Sequence, residues 1–128
     1  MAVAWDAETE SHTGTTGSTN EASFTFSHNP VGTPAGVLVF TFAQGTADIV
    51  TGVTYDGVAL VAVPGGRAVD TNGETGDCKA WFLGSGIPAT DPANVVVTRT
   101  NNGTIVYAVC FTVTAARILT TTVTPAGC

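Results

Sequence analysis

Charge is what this sequence has least of. Asp, Glu, Lys and Arg together make up 11% of its 128 residues, less than half of the share of about 25% usual in globular domains. One lysine and three arginines stand against ten acidic residues, so the formal net charge is -6. A chain of that sign repels a phosphate backbone instead of releasing its counterions, and nucleic acid is not an expected partner. Anionic membrane surfaces are disfavoured on the same ground. Long apolar runs are missing too: none approaches the roughly 20 residues needed to span a bilayer, so a soluble protein with no membrane partner is expected.

Cysteine is scarce and odd in number. Cys78, Cys110 and Cys128 cannot all pair within one chain, and their separations match no zinc pattern. Buried thiols are the expectation, with a bridge between Cys78 and Cys110 left open and Cys128 read as the terminus. The opening stretch from Met1 to Glu8 has neither the basic start nor the apolar core of a secretory signal. Yet a Thr- and Gly-rich, Lys-poor composition suits a surface that meets the outside world. A virion protein reconciles the two, being made in the host cytoplasm and reaching the outside by assembly and lysis; a signal already removed is the other reconciliation.

What the chain does have is Thr, Val and Gly. Branching at Cβ favours strands over helices, and the glycines and asparagines supply tight turns. No segment has helical periodicity. Ser23 to His28 alternates Phe24 and Phe26 against Ser23, Thr25 and Ser27, which predicts a strand with one wet face. Gly36 to Phe42 sets Leu38, Phe40 and Phe42 against Val37, Val39 and Thr41, so both faces tolerate burial and the strand is expected at the centre of its sheet.

Asp48 to Tyr55 and Val58 to Val63 flank Asp56-Gly57, a dipeptide suited to a two-residue hairpin turn. Pro64 to Asp77 is dense in turn residues and predicts an exposed loop. Cys78 to Leu83 returns as a strand with Trp81 and Phe82 on opposite faces. Val95 to Thr100 and Thr104 to Thr114 are expected to form a second hairpin across Asn101-Asn102-Gly103. The core stripe of its long strand is predicted as Ile105, Tyr107, Val109, Phe111 and Val113, with Val106, Ala108 and Cys110 behind it. Strands over Ala2 to Asp6 and Ile118 to Thr124 complete the reading.

The sum is an all-β chain: an antiparallel β-sandwich or jelly roll of about eight to ten short strands. One domain is expected over 1–128, with 10–20 as a polar loop or arm and 118–128 as a C-terminal strand or tail.

Candidate chemistry is thin. His12 and His28 lie in or beside polar turn segments and lack a third nitrogen or thiolate at metal spacing, so neither catalysis nor zinc is expected of them. Gly84-Ser85-Gly86 lacks the strand-turn-helix setting of a hydrolase nucleophile. Asp70, Asn72, Glu74 and Asp77 place oxygen ligands at near-alternate positions, as calcium loops do. Their register fails the EF-hand pattern, since Thr75 stands at the sixth position and no Glu closes the loop; a solvated acidic loop is the favoured reading. Asn102-Gly103-Thr104 fits a glycosylation sequon, but the turn accounts for those residues. Trp5, Trp81 and Tyr55 are the available platforms for a sugar ring, with core packing the better account of Trp81. No catalytic residues, cofactor or enzymatic activity are expected.

The run from Ser23 to His28, then Gly36-Val37-Leu38-Val39-Phe40, Val53-Thr54-Tyr55-Asp56-Gly57-Val58-Ala59-Leu60 and Ala80-Trp81-Phe82-Leu83, resembles β-sandwich modules of phage and environmental viral structural proteins and of some bacterial surface proteins. It covers about residues 22 to 114, and such modules carry no catalytic residues to transfer. The resemblance implies a tailed-phage virion protein, a capsid decoration or cement subunit exposed on the particle. Its expected partners are the major capsid or other virion proteins and further copies of itself in a homo-oligomer, bridged by 10–20 and 118–128 through strand addition. The alternative is a glycan-binding module of a tail fibre or bacterial surface protein.

Overall fold

The structure is a computed structural model and describes residues 4–12, 21–72, 75–100 and 104–114, the side chains of the first stretch only over 6–9. Among these residues there is no helix, and nine strands follow one another: β1 Ala4–His12, β2 Ser23–His28, β3 Gly36–Gln44, β4 Val50–Tyr55, β5 Val58–Ala59, β6 Val61–Asp70, β7 Gly76–Leu83, β8 Ala93–Arg99 and β9 Val106–Thr114. They form two antiparallel sheets, one of five strands in the order β1-β9-β3-β7-β6 and one of four in the order β2-β8-β4-β5. The fold is a β-sandwich, as the composition requires.

The core lies between the sheets and follows the alternation of the central strands. The four-stranded sheet sends in Phe24 and Phe26 from β2, Val53 and Tyr55 from β4, and Val95 and Val97 from β8. From the other side come Val37 and Val39 of β3, Trp81 of β7, and Val106, Ala108 and Cys110 of β9. β3 is indeed central, with β9 and β7 as its neighbours. The Asp56-Gly57 turn forms with positive φ at both residues, 45° and 83°, as a type I′ hairpin requires.

Five expectations are corrected. The buried stripe of β9 is Val106, Ala108, Cys110 and Thr112, whereas Tyr107 is half exposed and Val109 and Phe111 are half-buried on the outer face. Both stripes are apolar, so alternation could not rank them. The gap between packed sheets is about 10 Å, and rings from the four-stranded sheet fill it, leaving room for small side chains on β9. The second hairpin does not exist: β8 pairs with β2 and β4, and β9 with β1 and β3, so the chain changes sheets between them.

Pro64 to Asp77 is largely strand, not loop. β6 runs along the sheet edge, where a proline costs no ladder bond, and the register jumps between Ala62 and Arg67 to absorb the glycines in a bulge. The hairpin strand expected over Val58 to Val63 is split, with Val58–Ala59 staying on β4 and Val61 onward joining the other sheet. The first strand also reaches further than Asp6, so Glu10, Ser11 and His12 of the expected arm pair with β9. The rest of that arm, the turn at 101–103 and the tail over 118–128 lie outside the described residues.

Candidate functional site

Three places gather polar or exposed groups. The first is buried. β2 ends at His28, which the sequence placed beside a polar turn and which is 0% exposed. Its Nδ1 lies 2.9 Å from Thr9 Oγ1 and its Nε2 2.9 Å from Thr112 Oγ1. Thr112 donates its single hydroxyl hydrogen to Asp6 Oδ2 at 2.9 Å, so it accepts from His28 Nε2–H. The neutral ring then accepts the Thr9 hydroxyl at Nδ1, which assigns the tautomer from the network. Asp6 is held in turn by the backbone N–H groups of Gly32 at 2.6 Å and Val31 at 3.2 Å.

Burial lowers the His28 pKa below its ordinary 6.5, with the Asp6 charge working the other way. The Tyr55 ring packs against that of His28 edge to face with centroids 6.2 Å apart, and burial, ahead of the nearby acidic groups, raises its phenol to about 12. Its hydroxyl is buried without a hydrogen-bond partner among the described residues. Hydroxyl, imidazole and carboxylate are the ingredients of a hydrolase relay. Here both ring nitrogens are engaged and the ring is closed off, so the array ties β1 and β9 of one sheet to β2 of the other.

The second cluster closes the β6 and β7 edge. Asp77 is buried, and Arg67 reaches it with Nε at 3.1 Å and Nη2 at 3.0 Å while giving Nη2 to the Thr46 carbonyl at 2.9 Å. Lys79 Nζ donates to Asp48 at 3.1 Å and to the Val50 carbonyl at 3.3 Å, 4.7 Å above the Trp81 ring. Of the calcium quartet, Asp77 is thus engaged by Arg67, and Asp70 accepts the Asn72 N–H at 2.8 Å. Glu74 lies outside the described residues. Among the described residues no three His, Cys, Asp or Glu side chains converge as metal ligands would.

Cys78 and Cys110 are thiols. Register sets Cys78 opposite Phe42 on the outer face and Cys110 opposite Val39 on the inner one, with β3 between them, so the open question of a bridge resolves against it. Burial pushes the Cys110 thiol up to about 12, leaving almost no thiolate to react.

The third place is the outer face of the five-stranded sheet, whose β9 residues sequence reasoning took for the core stripe itself. Phe42 and Tyr107 stand opposite each other on β3 and β9 and are 41% and 50% exposed. Leu38, Phe40, Val109, Phe111 and Phe82 continue the face, half-buried, with Phe40 and Phe111 meeting edge to face at 5.8 Å. Beside Phe42 a shallow hollow of about 430 Å³ lies over Ala68, Gly76 and Cys78, and on its other side one of about 380 Å³ reaches Gln44, Thr75 and Tyr107. By register Glu8 of β1 stands opposite Phe111, Glu10 opposite Val109 and Asp70 of β6 opposite Gly76, and Asp70 lines the first hollow.

The sugar platforms singled out in the sequence are elsewhere. Tyr55 and Trp81 are in the core, Trp81 donating its indole N–H to Thr41 at 3.1 Å, and the Trp5 side chain lies outside the described set. The chain matches no known protein family, no curated protein and no solved structure.

Proposed function

We propose that this protein works by assembly, as a structural protein of a virus particle, and that its role is that of a decoration or cement subunit on a tailed-phage capsid. The observation that carries the reading is the aromatic outer face of the five-stranded sheet, bearing Phe42, Tyr107, Phe40 and Phe111. A second sandwich layer already covers the other side of that sheet, so this apolar surface is surplus to the protein's own core. Exposed apolar faces of this kind mark contacts with other proteins. His28 is sealed between the sheets, and Asp77 and Asp48 are held by Arg67 and Lys79.

Mass spectrometry of purified particles, with copy number measured against the major capsid protein, tests the proposal. Near-stoichiometric copies are the expected result; a handful of copies would move the protein to the tail or a fibre. Absence from particles would overturn the virion reading in favour of a glycan-binding module. That alternative rests on Phe42 and Tyr107 as the ring platform, with Gln44, Thr75 and Asp70 on the rim of the flanking hollows.

A further inference from the structure

We propose that the amino-terminal half of β1 is an acid-released strap, closed over His28 while the imidazole is neutral and lifted from the flank of the sandwich when the ring takes up a proton. The inference concerns the behaviour of the fold and stands apart from the assembly reading. Position carries it. β1 is an edge strand of the five-stranded sheet and β2 of the four-stranded one, and Thr9 of the first meets His28 of the second across the gap. The imidazole therefore lies just inside a flank that these two edges close.

What holds the strap down is polar. Among the described side chains of β1, those of residues 6–9, none belongs to the buried apolar core, and Glu8 is exposed. Thr9 grips the ring at Nδ1, 2.9 Å away, while Asp6 accepts the Thr112 hydroxyl at 2.9 Å and the Gly32 N–H at 2.6 Å. The ladder to β9 is itself irregular here, its register shifting between Trp5 and Ala7, and such a bulge disrupts local pairing. Folded proteins open most cheaply where buried apolar contacts are few.

Protonation acts on that grip directly. In the neutral ring Nδ1 accepts the Thr9 hydroxyl, whereas an imidazolium carries N–H at both nitrogens, so two donors then face each other across 2.9 Å. Thr9 must turn its hydrogen away, and the new charge sits on a ring that is 0% exposed. The surroundings give little relief. Asp6 of β1 favours the charge, but burial outweighs it. From β4, Tyr55 faces the ring, and its phenol stays neutral in acid, as does the Cys110 thiol of β9 that acts on it. Asp56 and Asp91 act on the phenol. β8 sets Ala93 opposite His28, and the turn at Val31 and Gly32 brings backbone N–H groups. Water is the partner left for a charged ring, and lifting Ala4 to Thr9 admits it while the other strands stay paired.

Residue-resolved amide hydrogen exchange of the full chain, corrected for the intrinsic rate, is the test. At neutral pH the ladder amides of Asp6 to Thr9 are expected to be less protected than those of Val37 to Thr41 in the core. Between about pH 7 and about pH 5 they should lose protection by up to roughly twentyfold, the change in protonation of a wetted imidazole with the ordinary pKa of 6.5. Protection equal to that of β3 at both pH values overturns the inference, and so does a lower protection that ignores pH. His28→Gln keeps a neutral donor and acceptor and should abolish the pH dependence, which the inference does not survive if it persists. Should that variant not fold, Thr9→Val leaves the ring intact and removes one grip. It should speed exchange over Asp6 to Thr9 at neutral pH with Val37 to Thr41 unaffected; unchanged exchange there counts against the strap.

Discussion

A histidine held neutral between two hydroxyls couples the stability of this sandwich to pH. In the folded chain burial lowers the His28 pKa below 6.5, while an unfolded chain titrates near that value. Above it both states carry a neutral ring and the full contribution of the network is present. As pH falls through 6.5 and then through the lower folded value, the unfolded chain takes up a proton that the folded one refuses, so stability drops and then levels off. Urea unfolding between about pH 7 and about pH 5 should show that slope, and His28→Phe should remove it. At neutral pH the same variant should cost about 1–3 kcal/mol, since Thr9 and Thr112 lose their partner inside the sandwich. An unchanged slope in the variant would mean that carboxylates, not His28, set the acid sensitivity. The sequence held only a partial trace of this network: Thr112 is a hydroxyl in the otherwise apolar run of β9, whereas β1, with Asp6, Glu8, Thr9, Glu10 and Ser11, is polar along its length and marks no inward position.

The strands depend on two glycines for different reasons. Gly57, at φ 83°, has nothing within 4 Å of where a Cβ would stand, so Gly57→Ala should cost about 1 kcal/mol through backbone conformation alone. Gly66 sits in the β6 bulge, where a Cβ would come within 2.9 Å of Val63 Cβ and 3.2 Å of Ala80 Cβ. Gly66→Ala must push the bulge off β7 and should cost more, about 2–3 kcal/mol, with a lower denaturation midpoint as the readout. Equal costs would argue that the bulge gives way freely. The Asp56-Gly57 hairpin was legible because a two-residue turn is a local rule. β6 was not, because a string of Pro and Gly reads as loop until a neighbouring strand absorbs it as an edge with a bulge.

At the scale of the molecule, among the described residues only β4 with β5 and β6 with β7 pair as chain neighbours; β1 closes on β9, β2 on β8, and β3 on both β7 and β9. Pairings so distant in sequence place the fold among slow two-state folders, on the millisecond-to-second scale. They also make β1 a closing element. It covers the open side of β9 and brings Asp6 and Thr9 to the His28 network. Deleting residues 1–12 should therefore abolish a single cooperative thermal transition by circular dichroism and expose apolar surface to a hydrophobic dye. A truncated chain melting as sharply and as high as the full one would show that β9 needs no partner on that side.

By itself the sequence determined the all-β class, the strand character of β2, β3, β7 and β9, the Asp56-Gly57 turn and an acidic balance with no apolar run long enough for a membrane-spanning helix. These follow from side-chain branching, period-two alternation and net charge, which act within a few residues or over the chain as a sum. Only the tertiary structure decided which stripe of β9 faces the core, that β8 and β9 part to different sheets, and that His28 is sealed while Tyr107 is exposed. Each of those depends on what lies across a gap of about 10 Å from a strand distant in the chain, and where both faces are apolar the alternation is symmetric until the opposing rings break the tie.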